Sequence, residues 1–150
     1  MDSNVRGENR QKALLYASQK GRTRTVRRLL EAGTDPNFVN EYGNTALMYA
    51  SNKGYTDIVR MLLEAGAFTN LTNWDRTTAL MLASQKGYTN IVRMLLDVGA
   101  DPNLADEEGT TALMLASDNL YPDIVRMLRR AGADPDLKDR YGKTAFDGRF

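Results

Sequence analysis

The sequence predicts an all-α solenoid of stacked helix-turn-helix units. Two observations carry this. A motif recurs at a constant 33-residue step, and each unit has an apolar stripe that it is too small to bury alone. Ala-Leu stands at 13–14, 46–47, 79–80 and 112–113, with Ala-Phe at 145–146. Gly33, Gly66, Gly99 and Gly132 keep the same step, as do Val26, Val59, Val92 and Val125, and Leu29, Leu62, Leu95 and Leu128. The block Thr45 to Gly66 is identical to Thr78 to Gly99 at 17 of 22 positions. The 150 residues thus divide into units 7–39, 40–72, 73–105 and 106–138 and a partial unit 139–150, all within one domain, 1–150.

Each element of a unit has a local cause. Thr45 precedes Ala46-Leu47-Met48-Tyr49-Ala50-Ser51, mostly good helix formers, and its hydroxyl can accept a backbone N–H and cap that helix. Thr78, Thr111 and Thr144 recur in that role. Gly54 ends the first helix, where a left-handed residue costs least. The second helix starts near Thr56 and Asp57, and Ile58, Val59, Leu62 and Leu63 form its apolar stripe. Gly66 stops it, and the stretch through Asn70 to Asn73 reads as an extended turn. The unit is helix, turn, helix and projecting loop.

These residues resemble the ankyrin repeat, whose period is 33 and whose signature is T-P-L-H-x-A. The matching positions are Gly43-Asn44-Thr45-Ala46-Leu47-Met48-Tyr49-Ala50, Gly54, Ile58-Val59, Leu62-Leu63, Gly66-Ala67 and Asn70. The resemblance covers about residues 7 to 147. It implies an ankyrin-repeat solenoid with β-hairpin or loop fingers, the first unit an N-cap and 139–150 a C-cap. It implies a protein-interaction module whose fingers and first-helix ends line a concave binding face. It also implies that Asn37, Asn70 and Asn103 match the asparagine that intracellular hydroxylases modify in this family.

The chain departs from the family pattern in a systematic way. The signature Pro is Ala in every unit, and the signature His is Met at 48, 81 and 114 and Leu15 in the first unit. A second frequent His position is Tyr at 55, 88 and 121. The two Met series, 48/81/114 and 61/94/127, read as core packing rather than an adaptable binding face. Arg76 replaces the finger Gly of 43, 109 and 142, which suggests a different turn type in that finger. Leu120 replaces the interhelix Gly, with Asn119 expected to take the left-handed role and Pro122 to open the next helix. Arg28, Arg129 and Arg130, with Lys12, Arg22 and Arg24, read as polar end-unit features.

Composition narrows the function classes. There is no Cys and no His, and net charge is +1. Disulfides, thiolate nucleophiles, Cys/His zinc sites and Ser-His-Asp triads are excluded. Asp101, Asp106, Glu107 and Glu108 lack the spacing of a calcium loop and read as a solvated face. The glycines form no phosphate-binding fingerprint. No apolar run reaches the roughly 18 residues of a membrane helix, and the first residues lack a signal-peptide core. The sequence therefore points to a monomeric intracellular protein, cytoplasmic or nuclear, that is not an enzyme and needs no cofactor or metal.

Partner class follows from what is copied and what is not. Helix blocks are near copies; finger tips diverge. The candidate partner-binding residues are Glu41, Tyr42 and Asn44 in one finger, and Trp74, Asp75, Arg76 and Thr77 in the next. Glu107 and Glu108, then Arg140 and Tyr141, complete the tips. Asn52, Lys53, Gln85, Lys86, Asp118 and Asn119 stand at the ends of the first helices. Aromatics and Arg are common interface anchors, and Trp74, the single Trp, sits mid-array. A second reading is an engineered or consensus-like scaffold without a natural partner, motivated by the identity between units. A third uses Arg27, Arg60, Arg93 and Arg126 as a convex ladder for nucleic acid or another anion. Glu31, Glu64 and Asp97, four residues on, and net charges of +2 for 1–75 and −1 for 76–150 weigh against it.

Overall fold

A computed structural model describes residues 3–147, with side chains from Arg6. Among these described residues, eight helices follow one another: α1 Ser3–Lys20, α2 Thr23–Glu31, α3 Ala46–Lys53, α4 Thr56–Glu64, α5 Ala79–Lys86, α6 Thr89–Asp97, α7 Ala112–Asp118 and α8 Pro122–Arg130. They form two layers. In one, α1, α3, α5 and α7 pack in sequence; in the other, α2, α4, α6 and α8 do. The core between them repeats with the sequence. Leu14, Leu47, Leu80 and Leu113 are buried, as are Ile58, Ile91 and Ile124.

The caps follow the expected chemistry. The hydroxyls of Thr45, Thr78 and Thr111 accept the N–H of Met48, Met81 and Met114 at 3.2–3.3 Å. Met48, Met81 and Met114 are buried, as core packing requires. At two units the Met does more. The Met48 and Met114 sulfurs accept the backbone N–H of Thr45 and Thr111 at 3.4 and 3.5 Å. A thioether completes a reciprocal capping box that usually uses Glu or Gln.

The first unit differs. Lys12 stands where Thr caps the other inner helices, and it has no hydroxyl to start a helix at residue 13. Helix α1 therefore runs back to Ser3, and residues 7–11, which hold the place of a finger in the 33-residue count, are helical.

Three sequence expectations are corrected. Arg76 does not use a different turn. Its φ is 62°, against 77° and 78° at Gly43 and Gly109. Its N–H donates to the Asn73 carbonyl at 2.9 Å, just as Gly43 donates to Asn40 at 3.0 Å. The Asx turn of the finger imposes the conformation whatever residue stands there. Asn119 likewise does not take the left-handed role: its φ is −92°, and Leu120 itself sits at φ 60°. The reason is register, because Tyr121 N–H must reach the Ala116 carbonyl as Tyr55 reaches Ala50. Third, three of the four ladder arginines pair backward rather than four residues forward. Arg60 binds Asp57 at 3.1 Å, Arg93 binds Asn90 at 3.1 Å, and Arg126 binds Asp123. These acceptors lie in the first turn, where a carboxylate also meets the positive helix end.

The fingers are Asx turns rather than β-hairpins. Among the described residues the only bridge is an isolated antiparallel pair, Ala105 with Thr111.

Candidate partner-binding face

Every finger is built by its first residue. The Oδ1 of Asn40 accepts the N–H of Tyr42 and Asn44, both at 3.0 Å, and Asn73, Asp106 and Asp139 repeat this at 2.9–3.0 Å. Asn and Asp are suited to this role because their short side chains mimic a backbone acceptor. Thus sequence dictates the turn, and the turn leaves the next two side chains exposed.

Adjacent fingers are then joined backbone to backbone. Trp74 N–H donates to the Tyr42 carbonyl at 3.2 Å, Glu107 to Asp75 at 3.1 Å, and Arg140 to Glu108 at 2.8 Å. Asn73 Nδ2 adds a bond to Asn44 Oδ1 at 2.9 Å. The fingers therefore form a connected ladder rather than independent loops. A second ladder fixes the turns after the outer helices. Asn37, Asn70 and Asn103 accept the N–H of Phe68, Asp101 and Asp134 at 2.7–2.8 Å. These three asparagines join successive units, a structural use that the family resemblance did not supply.

The nominated side chains separate into two groups. Glu41, Tyr42, Trp74, Asp75, Arg76, Glu107, Glu108, Arg140 and Tyr141 are exposed at the tips. Lys53, Gln85, Lys86, Asp118 and Asn119 are exposed at the helix ends. Asn44, Asn52 and Thr77 are half-buried, and Asn44 is committed to the ladder. Trp74 is 73% exposed, yet its ring lies against the preceding finger. A Cβ on Gly43 would stand 2.2 Å from Trp74 Cδ1. The indole is thus held on one face and open on the other, which lowers the entropy lost when a partner binds it. Arg140 spans to Glu108 at 4.0 Å and stacks on Tyr141 at 5.7 Å.

Finger and inner helix share one face. Gln19 of α1 and Glu41 of the following finger line the same groove of about 440 Å³, together with Lys12, Tyr16, Asn40 and Tyr49. Sequence reasoning missed this groove. Its signal was Lys12 in the capping Thr position, which removes a finger from the first unit. Among the described residues, no three Asp or Glu side chains converge as a metal site requires, and no helix is long and apolar enough to cross a membrane.

A two-layer stack of near-identical helix pairs, with laddered turns on one face, defines a repeat solenoid. A family model described as ankyrin repeats in three copies matches residues 1–73 and 68–139, and the chain belongs to the ankyrin repeat family. That family is typically non-catalytic, and its repeats are generally protein-protein interaction modules. No curated protein sequence matches the chain.

Proposed function

We propose that this chain is a non-catalytic module that binds another protein through its finger tips and the adjoining ends of α3, α5 and α7, acting as a monomer inside the cell, in cytoplasm or nucleus. The observation that carries the reading is a contrast. The scaffold is nearly copied from unit to unit, whereas a connected row of fingers presents Tyr42, Trp74 and Tyr141, each more than 60% exposed. Large aromatics on polar turns are poor for solubility and good for anchoring a partner. The pre-joined fingers would bind with little ordering cost.

The test compares proteins captured from lysate by the wild-type chain and by a Tyr42→Ala, Trp74→Ala, Tyr141→Ala variant. Specific partners are lost with the variant while its helical circular dichroism persists. Retention of every partner by a folded variant overturns the reading. The Arg ladder supports nucleic-acid binding less well, because Arg60 and Arg126 are paired to carboxylates.

A further inference from the structure

Each of fingers 40–44, 73–77 and 106–110 accepts a backbone N–H from the finger after it, and finger 40–44 has side-chain partners as well. Finger 40–44 is held by Tyr49, whose hydroxyl accepts from Asn40 Nδ2 at 2.8 Å. It is also held by Asn73, whose Nδ2 reaches Asn44, and by Trp74, whose N–H takes the Tyr42 carbonyl. Stepping back 33 residues, these receptors become Tyr16, Asn40 and Glu41. All three line the groove beside α1. The finger that would fill it does not form, because residues 7–11 are helical. Among the described residues, nothing accepts from the Glu41 N–H or bonds the Tyr16 hydroxyl.

We infer that this groove is a docking site for an Asn-led acidic turn of a partner protein, which takes the place of the missing first finger. The inference rests on the protein-binding reading above and names a surface separate from the aromatic tips. The turn's leading Asn donates its amide to the Tyr16 hydroxyl, and the carbonyl of its third residue accepts the Glu41 N–H, continuing the ladder by one rung. The acidic character comes from charge. Between Arg6 and Arg22, along α1 and just past its end, there are five Lys and Arg against one Glu. Lys12 lines the groove, and Lys20 and Arg22 lie 5.8 and 5.4 Å from the Tyr16 ring centroid. Such a field attracts carboxylates and speeds their encounter. A nucleic acid meets the same cations, but it has no amide carbonyl to continue a peptide rung.

The probe is a cyclic peptide of residues 39–45 of this chain carrying Tyr42→Glu, titrated into the labelled full chain while backbone amide resonances are followed. Saturable shifts centred on Asn40, Glu41 and the Tyr16 turn of α1 are expected. An Asn40→Ala peptide and the Tyr16→Phe protein should each bind about fivefold more weakly. Tyr16→Phe keeps the ring, so a melting curve matching wild type confirms that folding is intact. Affinity should fall when salt is raised from about 50 to about 300 mM. The inference is overturned by absence of saturable shifts at about 2 mM peptide, or by shifts centred on the tips or the outer helices, the concentration following from weak single-site binding. It is also overturned if a ten-nucleotide single-stranded DNA displaces the peptide from the same amides at lower concentration. The lysate capture that tests the finger tips is read separately from this titration, so the groove can fail while that capture still succeeds.

Discussion

The ring of Tyr88 lies on the backbone of Gly54, so close that a Cβ on residue 54 would stand 2.8 Å from Tyr88 Cζ. The same seat recurs for Tyr55 on Gly21 and Tyr121 on Gly87, at 2.8 and 2.7 Å. The Tyr that replaces a frequent His in this family thus packs each unit onto the one before it. The Gly that ends an inner helix has two duties: it turns the chain with φ 79° and it leaves room for the next unit's ring.

Those duties can be separated. Gly54→Ala should cost about 2–4 kcal/mol, combining the left-handed penalty with overlap against a packed ring. Gly66→Ala meets nothing within 4 Å and should cost only about 1 kcal/mol, although its φ is also positive, at 91°. Urea unfolding of the two variants tests this. Equal losses would show that backbone strain alone decides.

Arg76 and Leu120 carry left-handed strain without such packing benefit. Replacing either by Gly should raise stability by about 0.5–1 kcal/mol, the removed strain being partly offset by the freer unfolded chain. If Arg76 is a partner contact, Arg76→Gly should also weaken partner binding while melting at a higher temperature. Calorimetry and a binding assay on the same sample read both effects.

The thioether caps predict a difference between identical substitutions. Met48→Leu and Met114→Leu remove the acceptor for a buried Thr N–H and should cost about 1 kcal/mol. Met81→Leu removes no such bond, since Thr78 receives only the conventional half of the cap, and should cost less. Chemical denaturation of the three single variants gives the comparison.

Ser18, Ser51, Ser84 and Ser117 form a buried ladder of hydroxyls without a partner. A hydroxyl kept from water without a hydrogen bond is a cost, and Ala is the better helix former. Ser84→Ala should therefore stabilise by about 0.5–1 kcal/mol, visible as a higher urea midpoint with an unchanged slope. A loss of stability would mean that the hydroxyl finds an acceptor in solution.

Much of the fold was legible because it depends on contacts that repeat. Thr45 predicts its helix start, Gly66 its helix end and Ile58 its buried stripe from local spacing alone, since caps and amphipathic faces are set within one or two turns. Two residue preferences failed where the hydrogen bonds of the turn itself overrode them. Arg76 and Leu120 look like residues that avoid positive φ, yet the Asx turn before one and the Tyr121 bond after the other leave no alternative. The finger tips were legible as candidates from their divergence. Their joining was not, because Trp74 bonding Tyr42 is a contact between residues 32 apart that neither finger implies by itself.

The repeat period, the helix boundaries in the three later units, the family and the identity of the variable tips were determined by the sequence alone. Each rests on short-range preference copied at a constant step. The tertiary structure alone decided that the fingers form one ladder, that Tyr rings sit on glycines, and that the ladder stops one rung short beside α1. Those outcomes depend on the precise approach of neighbouring units. Lys12 changes one local preference, lengthens a helix, and only in the stacked molecule does that become an open groove.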